Sequence, residues 1–125
     1  MNDEMISCVT NDVTNLLLEL GIPTNLLGFS YILYIVKIAL KNPDFNYRVS
    51  KDIYIEVAQH FGTSHSSVER CIRHAIMTGW VCGNPERIEQ IFKNSINPKK
   101  GVPTNSQFIS SVCLYSSRTV MQQVQ

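Results

Sequence analysis

The sequence predicts an all-α domain organised around a helix-turn-helix. Val68, Cys71, Ile72, Ala75, Ile76 and Gly79 fall at i, i+3, i+4, i+7, i+8 and i+11, which lines small and apolar groups along one face of a helix from Ser64 to Gly79. A second helical pattern, Ser50 to Phe61, precedes it, and Gly62 with Thr63-Ser64 supplies the short Gly-containing turn between them. Gly21-Ile22-Pro23, Asn42-Pro43 and Asn84-Pro85 break the rest of the chain into further helix-length pieces.

Taken in order, the first ten residues, with Asn2, Asp3 and Glu4, read as a mobile lead-in. A helix is expected to start near Asn11 or Asp12, to carry Val13, Leu16, Leu17 and Leu20 on one side, and to stop at Gly21. Beyond Pro23, Thr24 is the expected cap of a longer helix through Tyr31, Ile35, Ile38 and Ala39, ended by Asn42-Pro43. Asp44 to Val49 reads as a loop with Phe45 and Tyr47 tucked against the core. Ser50 carries the oxygen to cap the next helix, whose buried stripe is Ile53, Val57, Ala58 and Phe61. Trp80 to Gly83 closes the Ser64 helix, with Trp80 as a core anchor.

Asn84 and Pro85 suit the N-cap and first position of a short helix with Ile88, Ile91 and Phe92 inward. Asn94 to Pro103 reads as a loop with Lys99-Lys100-Gly101 at its tip. Pro103-Thr104-Asn105 introduces a last helix with Phe108, Ile109 and Val112 inward, and the Ser/Gln-rich end from Ser116 is expected to fray. The expected organisation is therefore a lead-in over 1–10, a helical domain over 11–115 and a tail over 116–125.

With 125 residues, 44% of them hydrophobic, the chain makes one domain with a real core. Net charge is only +1, but four Lys/Arg and seven Asp/Glu lie in residues 1–60 against seven and three in 61–125. The basic balance thus falls in the half that contains the two-faced helix. Cys8, Cys71, Cys82 and Cys113 form no CxxC pair and follow no signal peptide, so reduced thiols and a cytoplasmic location are expected. The longest apolar run, Ile32 to Leu40 broken by Lys37, is far short of the roughly 20 residues that span a bilayer. His60, His65, His74, Cys71 and Cys82 share no metal-ligand spacing, and no nucleophile motif or acid pair suggests an enzyme. No cofactor, metal or small-molecule substrate is expected.

The chemistry lies off the apolar face of Ser64–Gly79. Arg70, Arg73, His74 and Met77 form a stripe there, beside Glu69, Ser66 and Ser67. Arg70 and Arg73 can each pair with guanine O6 and N7, and Glu69 can accept from cytosine N4. Ser64 and Ser66 stand where a helix start offers free N–H groups to a phosphate. The bland alternative is a solvated face with Glu69–Arg73 as an i, i+4 ion pair. Met77 could touch a thymine methyl, but a partly buried core methionine is the expectation. Lys99 and Lys100 are candidates for a neighbouring phosphate, or a solvated loop tip.

Several ordered segments resemble one known family. Gly21-Ile22-Pro23 with Gly28 and Tyr31, the run Val68-Glu69-Arg70-Cys71-Ile72-Arg73-His74-Ala75-Ile76, Gly83-Asn84, and Pro103-Thr104-Asn105-Ser106-Gln107-Phe108-Ile109 are similar to the C-terminal DNA-binding effector domain of the stage-zero sporulation master regulator of endospore-forming Firmicutes. The resemblance covers about Thr14 to Val112. It implies about six helices, recognition of a short element in double-stranded DNA, and pairing as a homodimer on tandem sites. By position it makes Glu69, Arg70 and Arg73 base readers. Ser64, Ser66, Ser67, His74, Lys99 and Lys100 would then serve the DNA backbone, and Phe108, Val112 and Tyr115 dimer contacts.

Ser67 stands where the family typically has an Arg, and the tail after Val112 lacks the basic residues the family leads one to expect there, so weaker phosphate contact is implied. About ten residues precede the match, too few for the family's phosphorylated receiver. The expectation is either an excised domain or a stand-alone regulator, the alternative function being a receiver-less paralogue that modulates a full-length regulator by pairing.

Overall fold

A computed structural model describes residues 1–42, 50–93 and 101–124, with the side chain of 124 left out. Six helices follow one another: α1 (Asp3–Glu19), α2 (Leu27–Lys41), α3 (Lys51–Phe61), α4 (His65–Cys82), α5 (Pro85–Phe92) and α6 (Asn105–Val124). Among the described residues there is no strand. Phe45, Tyr47, Lys99 and Lys100, with the loop expectations around them, lie outside the described residues.

The core is one apolar cluster to which all six helices contribute, and α4 runs through it against α2, α3 and α6. Val68, Ile72, Ala75, Ile76 and Gly79 of α4 are buried, so the predicted i, i+3, i+4 face is the face the fold covers; Cys71 is half-buried on its edge. The α2–α4 seam is tight because Gly28 has no side chain. A methyl there would overlap the Cys71 carbonyl and lie 2.7 Å from Ala75 Cβ. Gly62, at φ +70°, ends α3 in the left-handed conformation that lets the chain turn into α4. Asn84 caps α5 through Glu86 N–H at 2.9 Å with Pro85 at the helix start, as the sequence predicts.

Five local expectations differ from the structure. The first helix begins at Asp3, not near Asn11, because the Asn2 side chain accepts from Met5 N–H at 2.8 Å and Ile6, Val9 and Thr10 are buried against the rest of the domain. The C-terminal segment from Ser116 is the last part of α6, with Ser116, Ser117 and Val120 buried. Thr24 does not cap α2, which starts after Leu26 with no side-chain cap; Ser50 precedes α3 in the N-cap position but also makes no side-chain cap bond. Phe61 is 41% exposed rather than part of the buried stripe, and its ring meets Tyr31 and Tyr34 edge-on at 5.0 and 5.5 Å. The extra helix at both ends of the chain reflects packing of α1 on α6, which no local pattern encodes.

Candidate nucleic-acid interface

The start of α4 is set by Ser64, whose hydroxyl accepts from Ser67 N–H at 3.2 Å. This is the capping role that residue type supports, and it satisfies one of the first-turn N–H groups. From there the helix runs 18 residues, about 27 Å at 1.5 Å per residue. With its buried face fixed by the core, Ser66, Glu69, Arg70, His74 and Met77 are left exposed along the opposite side. Met77 is 46% exposed, so the expectation of a partly buried core methionine does not hold; its position one turn beyond Arg73 points it off the apolar face. Trp80 is half-buried and meets the Phe92 ring at 5.1 Å, the anchor role read from sequence.

Facing this stripe is the first turn of α6. Together they border a cleft of about 820 Å³ that brings Ser66, Glu69, Arg70, Arg73, His74 and Met77 of α4 together with Tyr54 of α3 and residues 104–106. The α6 start is itself well built: Thr104 N–H donates to Gln107 Oε1 at 2.9 Å, and Gln107 N–H donates back to Thr104 Oγ1 at 3.1 Å. That reciprocal pair is a capping box, which stiffens the turn opposite the α4 stripe.

Arg73 differs from its neighbours. It is only partly exposed, and its Nη1 donates to the Pro103 carbonyl, 30 residues away. A guanidinium has five donors, so the bond ties Arg73 to the cleft wall and leaves others to face the opening. No ion pair joins Glu69 to Arg73 among the described residues; the pair present, Glu19–Arg87 at 2.6 Å, lies elsewhere. The bland alternative for this face therefore has no ion pair behind it.

Tyr54 is a cleft residue the sequence reading missed. It is buried behind the stripe, with its hydroxyl accepting from Asn105 Nδ2 at 3.3 Å. Burial, with a smaller contribution from nearby Glu69, holds its phenol above its usual range against the opposing effect of the Asn105 bond. The signal for Asn105 was present only as a cap-like residue after Pro103; nothing local links it to Tyr54.

The residues expected at a dimer contact do not form one surface. Phe108 and Val112 are buried within the chain's own core, where Phe108 packs on Phe92 at 5.5 Å. Tyr115 is half-exposed, accepts from Arg87 Nη1 at 3.1 Å, and holds the guanidinium 5.5 Å from its ring centre. That same Arg87 pairs with Glu19, so Tyr115 belongs to the junction of α1, α5 and α6. Among the described residues no group of three His, Cys, Asp or Glu side chains could hold a metal ion, and no helix is long and apolar enough to cross a membrane.

Compared with known families, residues 13–115 match the family described as sporulation initiation factor Spo0A C terminal. The chain belongs to that family. The match spans the C-terminal part of α1 from residue 13, all of α2 to α5 and the first half of α6, the frame that carries the α4 stripe and the cleft. The Spo0A C-terminal family is one of DNA-binding transcription-regulatory effector domains rather than of enzymes, and this chain is a DNA-binding regulatory domain of the sporulation response-regulator kind.

Proposed function

We propose that this Spo0A-type domain recognises a specific sequence in double-stranded DNA by laying the exposed side of α4 in the major groove. The observation that carries the reading is the rigid, outward stripe of Glu69, Arg70 and His74 on a helix whose other side is wholly committed to the core. Such a helix meets the dimensions of the groove and presents donors and an acceptor that distinguish base pairs. In this reading Arg70 and Glu69 touch base edges. Arg73 contributes the donors that its Pro103 bond leaves over. Ser66, Ser67 and His74 meet the phosphates that flank the groove, and α3 braces α4 across the backbone. Regulation of transcription in the cytoplasm follows from such binding. Pairing of two copies on tandem elements would use exposed surface near Tyr115, since Phe108 and Val112 are enclosed.

The test is fluorescence anisotropy on a duplex carrying the family's DNA element and on a scrambled duplex, each at two salt concentrations. Binding should favour the matched duplex at both, with affinity falling as salt rises because Lys and Arg contacts release counterions. Arg70→Ala should lower the preference by the worth of one bidentate contact, about 1–3 kcal/mol, at unchanged melting temperature. Equal affinity for the two duplexes would sink sequence recognition.

A further inference from the structure

Behind the exposed stripe, one side chain from α6 touches both helices of the helix-turn-helix. Asn105 is only 8% exposed, and its Nδ2 donates to the Tyr54 hydroxyl of α3 at 3.3 Å and to the Glu69 main-chain carbonyl of α4 at 3.1 Å. A carbonyl can only accept, so the Glu69 bond fixes which end of the amide is the nitrogen. With both of its N–H groups engaged, the amide spans the angle between α3 and α4. Its other end pays for this: Asn105 Oδ1 is buried with no partner among the described residues. An orphaned buried acceptor costs stability, which offsets part of what the two N–H bonds contribute, so the net worth of this amide to stability is small. Next to it, Arg73 binds the carbonyl of Pro103, so the 103–105 segment grips α4 at two points one turn apart.

We infer that Asn105 is a positioning residue for the DNA-reading face, setting the angle at which α4 projects from α3 while touching no DNA itself. This rests on the sequence-recognition reading above. Hydrogen bonds behind a binding face hold its side chains within the fraction of an ångström that base contacts demand. Phosphate contacts tolerate more, because they are governed by charge at longer range.

The experiment compares the wild-type chain with Asn105→Ala, Asn105→Asp and Tyr54→Phe. Anisotropy is read on matched and scrambled duplexes well below each melting temperature, and amide hydrogen exchange is read without DNA. The expected result for both Asn105 variants is a fall of about tenfold in the matched-to-scrambled preference, the worth of one misaligned base contact, with the salt dependence unchanged. Amide exchange should quicken in α3 and the first half of α4 and stay as it was in α1 and α2. Tyr54→Phe removes one of the two bonds without opening a cavity, so it folds and should show a smaller loss of the same kind.

A lowered melting temperature with the preference intact would overturn the proposal, leaving Asn105 a stabilising residue. Equal losses on both duplexes with a flatter salt dependence would overturn it too, since Asn105 would then touch phosphate. Should the wild type show no preference, sequence recognition fails, and the exchange data alone judge the clamp: unchanged exchange in α3 and α4 would reject it.

Discussion

Helix α4 is held on two sides by different physics. Against α2 the contact is apolar and close, with Gly28 letting the two backbones approach and Ile72 and Ile76 fully enclosed. Against residues 103–105, at the start of α6, the contact is polar: Arg73 to Pro103, and Asn105 to Glu69. Dispersion and burial are non-directional, so the α2 side sets how deep α4 sits and how stable the domain is. Hydrogen bonds are directional, so the α6 side sets how α4 is turned. Stability and orientation are thus assigned to opposite sides of one helix, and the exposed stripe lies between them.

The largest effect is expected on the apolar side. Ile72→Asp places an unpaired carboxylate at a position with no exposed surface, and the chain should fail to fold, by more than about 4 kcal/mol. A melting curve like that of the wild type would mean the buried face is misassigned. Gly28→Ala pushes a methyl into the Cys71 carbonyl and should cost about 1–3 kcal/mol, read as a lower urea midpoint.

Alkaline pH probes the buried side of α6. Burial pushes the Cys113 thiol up to about 12 from its ordinary 9, so the native state favours the protonated form. That contribution is complete below pH 9 and is lost as pH rises toward 12. Melting temperature should therefore fall over this range, and Cys113→Ala should flatten the fall; an equally steep decline in the variant would assign it to other groups.

On the polar side the costs are smaller. Arg73→Ala removes a partly exposed bond to Pro103 and should cost about 1.5 kcal/mol of stability while also reducing sequence preference. A loss of stability alone would make Arg73 a strut rather than a reader. Ser64→Ala removes the α4 cap and should lower stability by about 1 kcal/mol, measured by chemical denaturation, with the preference for matched DNA kept.

What could be read from sequence was whatever repeats within a turn or two of helix. The inward residues of α4 and α5, the Asn84-Pro85 start and the Gly62 turn follow from side-chain spacing and from what each residue does to its own backbone. The misreadings share the opposite character. Residues 3–10 and 116–124 look unremarkable in polarity, yet they are helical because α1 and α6 pack on one another. Phe61 looks buried by spacing, but α3 ends there and its ring caps the outer side of a cluster with buried Tyr31, half-buried Tyr34 and exposed His60.

The candidate interface divides in the same way. Glu69, Arg70 and His74 were legible as outward groups because a helix with one apolar face must present the other, and the roles proposed for them come from the family resemblance. The sequence by itself therefore determined the helix-turn-helix, the buried face of α4 and the outward Glu69, Arg70 and His74, since these depend on 3.6-residue periodicity and local turn chemistry. Only the tertiary structure decided that Arg73 is tethered to Pro103, that Phe108 and Val112 are enclosed, and that Tyr54 and Asn105 stand behind the stripe. The two hydrogen bonds among these join residues 30 and 51 positions apart, and contacts at such separations arise from how helices pack rather than from any pattern along the chain.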